Sequence, residues 1–259
     1  TLSNMWRKKN PNSGRESITM AMSRSLGPKY KMEGEIMLTA MGDVMRRAYE
    51  KGWITTRDGN ISVKMTGKDT LYITPSGWRK TIIHPEHIIK CEITPAGYAI
   101  PEGTAPSGEL EMHVKLQRFR KYTTAVVHLH PTCIIAAMYA GWDLQHIAKE
   151  FPEVSRYTRV GPSVPVLPVT SPELAMATWK AFTDVENTHS NILKFDIVGQ
   201  AGHGVCAVGP NPWDAYEHIE RLEHVCEIVL RSGRKPPGSE SSAGVVKEAP
   251  VIVTRSASL

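Results

Sequence analysis

The chain has 259 residues, 41% hydrophobic and 22% charged. That balance permits a sizeable core, in one large domain or two small ones, and excludes global disorder. The net charge is +5, but the surplus sits in residues 1–31, where Arg7, Lys8, Lys9, Arg15, Arg24, Lys29 and Lys31 meet Glu16 alone. This predicts a solvated basic arm over 1–32 rather than a nucleic-acid surface, because no recognition motif accompanies it.

Element signals follow in chain order. A helix is expected over 33–51, with Ile36, Met37, Ala40, Val44 and Ala48 on its inner face and Gly52 as its stop. Strands are expected at Asn60–Lys64, Leu71–Thr74, Ile88–Ile93 and Tyr98–Ile100, with a turn at Gly67. A helix from Glu109 to Tyr122 precedes a strand over Thr124–His130, and Ile134–Tyr139 begins another helix. Val164–Val169 is read as a short strand, and Ser171-Pro172 starts a helix over 172–185. Strands are predicted at Asn191–Ile197 and Val205–Val208. Asn211 then caps a long helix to Ser232, with Ala215, Ile219, Leu222, Val225, Ile228 and Val229 inward. Residues 233–259 lose all periodicity and read as a flexible tail. The catalytic unit is therefore expected within 33–232.

Cys91, Cys133, Cys206 and Cys226 are too widely spaced for a zinc knuckle or a redox pair. They read as reduced cysteines of a cytoplasmic protein. No apolar run approaches about 18 residues and the N-terminus shows no apolar leader, so neither secretion nor membrane association is expected.

The chemistry concentrates in three segments. In Val126-Val127-His128-Leu129-His130-Pro131, two histidines lie two apart on an expected strand, so both rings face one side. A bare pair of this kind is most often two satisfied core histidines. Gly202-His203-Gly204 and Ser107-Gly108-Glu109 add a third histidine and a carboxylate, the donor set of a catalytic divalent-metal site. Glu109 and His113 share a helix face, and Glu109, at the helix start, can act as general acid/base beside a metal. Asp58-Gly59-Asn60, Thr74-Pro75-Ser76-Gly77 and Ser107-Gly108 each join glycine to a polar donor, which suits an anion cradle. Arg79 and Lys80 could add positive charge.

Over residues 35–232 the chain resembles the class II aldolase/adducin family, the group of fuculose- and rhamnulose-phosphate aldolases. The resemblance rests on blocks in order: Gly59-Asn60-Ile61-Ser62, Thr74-Pro75-Ser76-Gly77, Ser107-Gly108-Glu109 with His113, His128-Leu129-His130-Pro131, Val164-Pro165-Val166-Leu167-Pro168 and His203-Gly204-Val205. Each block is weak alone, and the ordered set is specific.

The resemblance implies an α/β/α sandwich around a mostly antiparallel sheet, assembled as a homotetramer with sites between subunits. It implies that His128, His130 and His203 bind Zn2+, or alternatively Mn2+, Co2+ or another divalent ion. Glu109 would be the acid/base and a ligand of the resting metal. Asn60, Ser76, Gly77, Ser107 and Gly108 would hold a substrate phosphate. A second acid/base would cross the subunit interface, with Tyr157 or Glu153 at the right place in the chain. The implied reaction is retro-aldol cleavage of a phosphorylated ketose or related hydroxy-carbonyl compound through a metal-stabilised enediolate. A decarboxylase, dehydratase or 4-epimerase on the same metal site is the alternative, and a non-catalytic adducin-like module is disfavoured by the histidines. Family aldolases often carry a second serine where this chain has Gly108, which puts a phosphorylated substrate in question.

Overall fold

The computed structural model describes residues 29–118, 124–183 and 193–238. The basic arm up to residue 28, the expected helix end at Tyr122, the first residues of the expected strand at 191 and the tail from 239 lie outside them. Seven strands form one sheet in the order β4-β3-β2-β1-β5-β7-β6. They are β1 (Asn60–Lys64), β2 (Thr70–Ile73), β3 (Ile89–Thr94), β4 (Gly97–Ala99), β5 (Thr124–Leu129), β6 (Ile197–Gln200) and β7 (Gly204–Gly209). Every ladder is antiparallel. Two isolated bridges, Val160 to Ile197 and Val164 to Gln200, run parallel.

The helices are α1 (Lys29–Glu50), α2 (Leu110–Gln117), α3 (Thr132–Tyr139), α4 (Leu144–Glu150), α5 (Pro152–Tyr157), α6 (Pro172–Phe182) and α7 (Pro212–Arg231). Strand alternation separates the core. Ile61, Val63, Ala125, Val127, Leu129, Val205 and Ala207 pack with α1, α3 and α7. Val126, Val198, Cys206 and Val208 pack with Met112 and Leu116 of α2 and Leu174 and Phe182 of α6. A third cluster joins Leu71, Ile73, Cys91 and Ile93 to Leu110 and Val114 of α2.

Several expectations are corrected. The buried face of α1 is Met41, Val44, Met45 and Ala48, and Ile36 is exposed. On α7, Ile228 is exposed while Glu223 and Cys226 are buried. The expected strand Val164–Val169 is an extended loop, since Pro165 and Pro168 have no N–H to give a ladder. The strand expected from Asn191 begins at Ile197, and β5 stops one residue before His130. Helices α4 and α5 were not foreseen.

Candidate metal centre

The sheet register assembles the site. Asn60 lies directly opposite His128 across β1 and β5. Leu129 pairs with Val205 across β5 and β7, so one step further brings the His203-Gly204 turn against His130. The approach is close. A Cβ on Gly204 would stand 2.3 Å from the Leu129 carbonyl oxygen and 2.8 Å from the His130 ring. Gly59 also has no room for a Cβ, which would lie 2.8 Å from Ile54, and its φ of +72° favours glycine.

Ring nitrogens of His128, His130 and His203 all lie within 4.8 Å of one another. His128 Nε2 is 2.9 Å from His130 Nε2. The other nitrogen of His128, Nδ1, is 2.9 Å from the Val205 carbonyl and donates to it, which fixes Nε2 as the lone-pair face. Burial, and then the neighbouring imidazoles, hold His128 well below its ordinary pKa. Burial and His203 lower that of His130. Neutral rings with converging lone pairs are what a divalent ion requires. His203 Nδ1, by contrast, is buried without a hydrogen-bond partner.

Glu109 completes the cluster from the N-cap position of α2. Its Oε2 lies 3.2 Å from His128 Nε2 and its Oε1 3.7 Å from His203 Nε2. Oε1 is buried with no hydrogen-bond partner. An orphaned buried carboxylate oxygen facing three imidazole nitrogens fits a cation between them.

The three glycine-bearing loops meet at this cluster. Asn60, Ser76, Gly77, Ser107, Gly108, Glu109, His128, His130 and His203 line one cavity of about 310 Å³, together with Arg57, Asp58, Lys80 and Thr170. Backbone bonds from Ser76 N to Ala105 O (2.8 Å) and from Ser107 N to Thr74 O (3.1 Å) tie two loops together. Those two amides are thus already used. Asn60 gives Nδ2 to Glu109 Oε2 at 2.9 Å. Thr170 is the one non-glycine residue at positive φ among the described residues, and its methyl lies 3.1 Å from where a Gly108 Cβ would be.

Lys80 was named in the sequence only as a source of charge. It is 2% exposed beneath the Pro75–Gly77 loop, with Nζ 3.4 Å from the Pro75 and Trp78 carbonyls, and burial pushes its pKa down to about 8. Arg57, which sequence reading passed over, lines the cavity, and Arg79 does not. Tyr157 and Glu153 sit on α5 outside it, and Tyr157 is packed between Arg156 and Arg221. A single chain does not bring either to its own metal cluster.

Sequence reading also missed His113 beyond its shared face with Glu109. It is 0% exposed and bonded to Asn60 and Ser62, and burial pushes its pKa down to about 3. The signal was available: Glu109, His113 and Gln117 recur every fourth residue from the N-cap along α2.

Fold and site together give an α/β protein in which three histidines that could share a metal ion lie beside one buried carboxylate. A family profile described as "Class II Aldolase and Adducin N-terminal domain" matches residues 39–230. The chain belongs to that family, on its enzyme side, since its relatives are lyase-type enzymes. One relative is a probable bifunctional methylthioribose-1-phosphate isomerase/methylthioribulose-1-phosphate dehydratase of Nocardia farcinica, 30% identical over 199 residues, 73% of this chain. The match spans only 34% of that longer protein. An L-fuculose phosphate aldolase of Methanococcus maripaludis is 27% identical over 184 residues, 70% of this chain and 88% of the relative. The crystal structure of L-fuculose-1-phosphate aldolase from Thermus thermophilus superposes with a TM-score of 0.61 at 25% identity, covering 76% of this chain and 94% of that one.

Proposed function

We propose that this protein is a metal-dependent carbon–carbon lyase that cleaves a hydroxy-carbonyl sugar derivative in the retro-aldol direction. The observation that carries the reading is the buried Glu109 Oε1, without a partner, beside three imidazoles whose ring nitrogens converge. His128, His130 and His203 would hold the ion, with zinc the first choice for three nitrogen ligands and Mn2+ or Co2+ the alternatives. A divalent ion there supplies Lewis-acid stabilisation of negative charge on substrate oxygens.

The chain's own groups then have defined work. In cleavage Glu109 Oε1 takes the proton of the hydroxyl beside the breaking bond, an aldehyde leaves, and the electron pair of that bond stays on the ketone fragment. Glu109 Oε1 returns a proton to that fragment. Asn60 holds Oε2, so the two carboxylate oxygens have separate tasks. Side chains of Ser76 and Ser107, with Lys80 below the loop, face an anionic end of the substrate. Gly108 offers no hydroxyl. A phosphate bound here keeps fewer side-chain partners than a serine would give, at about 1.5–3 kcal/mol per missing charged hydrogen bond.

A homotetramer and a cytoplasmic location belong to the same reading. The four cysteines are all free, which suits a reducing compartment, and none of the described helices is long and apolar enough to cross a membrane. Tyr157 or Glu153 would then serve a neighbouring subunit's site. A dehydratase is the second reading, favoured by the Nocardia relative's dehydratase name.

The test is metal analysis followed by a screen of sugar phosphates, sugar acids and their dephosphorylated forms, with products identified by mass. Two carbonyl fragments support the lyase, and loss of water with the carbon skeleton intact supports the dehydratase. Protein purified without chelator that holds no stoichiometric divalent metal would overturn both.

A further inference from the structure

A line of buried polar side chains runs from the core to the metal-facing carboxylate. Gln117 Nε2 is 2.8 Å from Ser62 Oγ, and Ser62 Oγ is 2.5 Å from His113 Nδ1. His113 Nε2 is 2.5 Å from Asn60 Oδ1, and Asn60 Nδ2 is 2.9 Å from Glu109 Oε2. Ser62, His113 and Gln117 are 0% exposed. A hydrophobic interior gains nothing from a hydroxyl, an imidazole and an amide in a row unless they act on something.

The end of the line fixes its direction. A carboxylate only accepts, so Asn60 must turn its NH2 to Glu109 and its oxygen to His113. His113 then carries its proton on Nε2, which leaves Nδ1 to accept from the Ser62 hydroxyl. Ser62 in turn accepts from Gln117. Reversing the line would set the Asn60 oxygen against the Glu109 carboxylate.

We infer that His113 is a positioning residue, which through Asn60 ties down Glu109 Oε2 and leaves Oε1 alone to work in the cavity. The amide between them orients without conducting. Asn60 has no transferable proton to relay, so a proton taken by Oε1 stays at the site instead of draining into the core. The inference rests on the acid/base role proposed for Glu109, and it predicts an arrangement that exists before any metal arrives.

Two readouts test it. Long-range proton–nitrogen NMR of the metal-free protein should show His113 as the Nε2–H tautomer, and the Nδ1–H tautomer overturns the inference. Co2+ titration then compares His113→Leu, which removes the donor, with His113→Gln, which restores an N–H at similar reach. The leucine variant should bind Co2+ more weakly by up to about 10-fold, the low end of the cost of losing a direct partner of a metal ligand because His113 acts one bond further out, and its visible bands should shift. The glutamine variant should recover both. Native bands and affinity in a folded leucine variant, or no recovery in a folded glutamine variant, overturn it. Should the leucine variant not fold, Ser62→Ala leaves His113 in place but removes the donor to Nδ1. It should weaken Co2+ binding in the same direction by less, and no change overturns the inference. A native protein that binds no Co2+ sinks the proposed function instead, and the tautomer remains readable.

Discussion

Glu109 carries the most at the scale of single residues. One oxygen is held by Asn60 at 2.9 Å and the other is buried without a partner. Glu109→Gln preserves shape and still offers an oxygen to Asn60, but its amide cannot take a proton. The variant should keep most of its bound metal and lose turnover by roughly 10²–10⁴-fold, measured as kcat beside metal content. Complete loss of metal would make Glu109 chiefly a ligand. The His128/His130 pair was legible because strand alternation is a local rule, and Glu109 because it opens a helix. The work of His113 was not, although its spacing from Glu109 was plain. Four-residue spacing says which side chains share a face and not what lies opposite, and here the partners Asn60 and Ser62 come from β1.

Secondary-structure elements were read well where periodicity was long and poorly where it was short. The strands β1 and β5 and the helix α7 show their patterns over enough residues to be recognised. The helices α4 and α5 have seven and six residues, too few for a face to declare itself, although Asp143 caps the first and Pro152 opens the second. The segment around Val164 misled because its valines outweighed its prolines. This loop and the start of β6 are joined by Arg159 and Asp196. The Arg159 guanidinium contacts both carboxylate oxygens, and its backbone N–H donates at 2.8 Å. Burial alone would raise the Asp196 pKa, but the hydrogen bonds from Arg159 outweigh it and hold the carboxyl below its ordinary range. A folded pKa below the unfolded one gives stability that is present above the unfolded value, near 3.8, and is lost as pH falls through the folded value. Arg159 is largely exposed, so the pair contributes only about 0.5–1 kcal/mol. Asp196→Asn should show that deficit in denaturant melts at pH 7, shrinking below about pH 4. An equal deficit at both pH values would mean that charge has no part in it.

For the molecule as a whole, composition and pattern bounded the class but did not yield the strand order. Antiparallel pairing of β1 with β5 and of β5 with β7 joins segments far apart in sequence, and no local rule selects those partners. Only the resemblance to a known family anticipated the sheet. The same topology makes the metal a stabiliser of the entire fold, because an ion that binds the native state alone lowers its free energy by about 2.7 kcal/mol at a hundred times its Kd. For a chain of this size that corresponds to roughly 5–11 °C in Tm. Calorimetry with zinc and with a chelator should show the gap, and coincident melts would deny the site. The close approach at Gly204 sharpens the kinetic expectation. His203 comes within reach of His130 only when the β6–β7 hairpin has docked along β5, so the donor set exists late, after the costly long-range closures have been made. An ion therefore has nothing to grip on the way up the folding barrier. It works as a latch on the finished sheet, slowing escape from the native basin while leaving the speed of arrival unchanged.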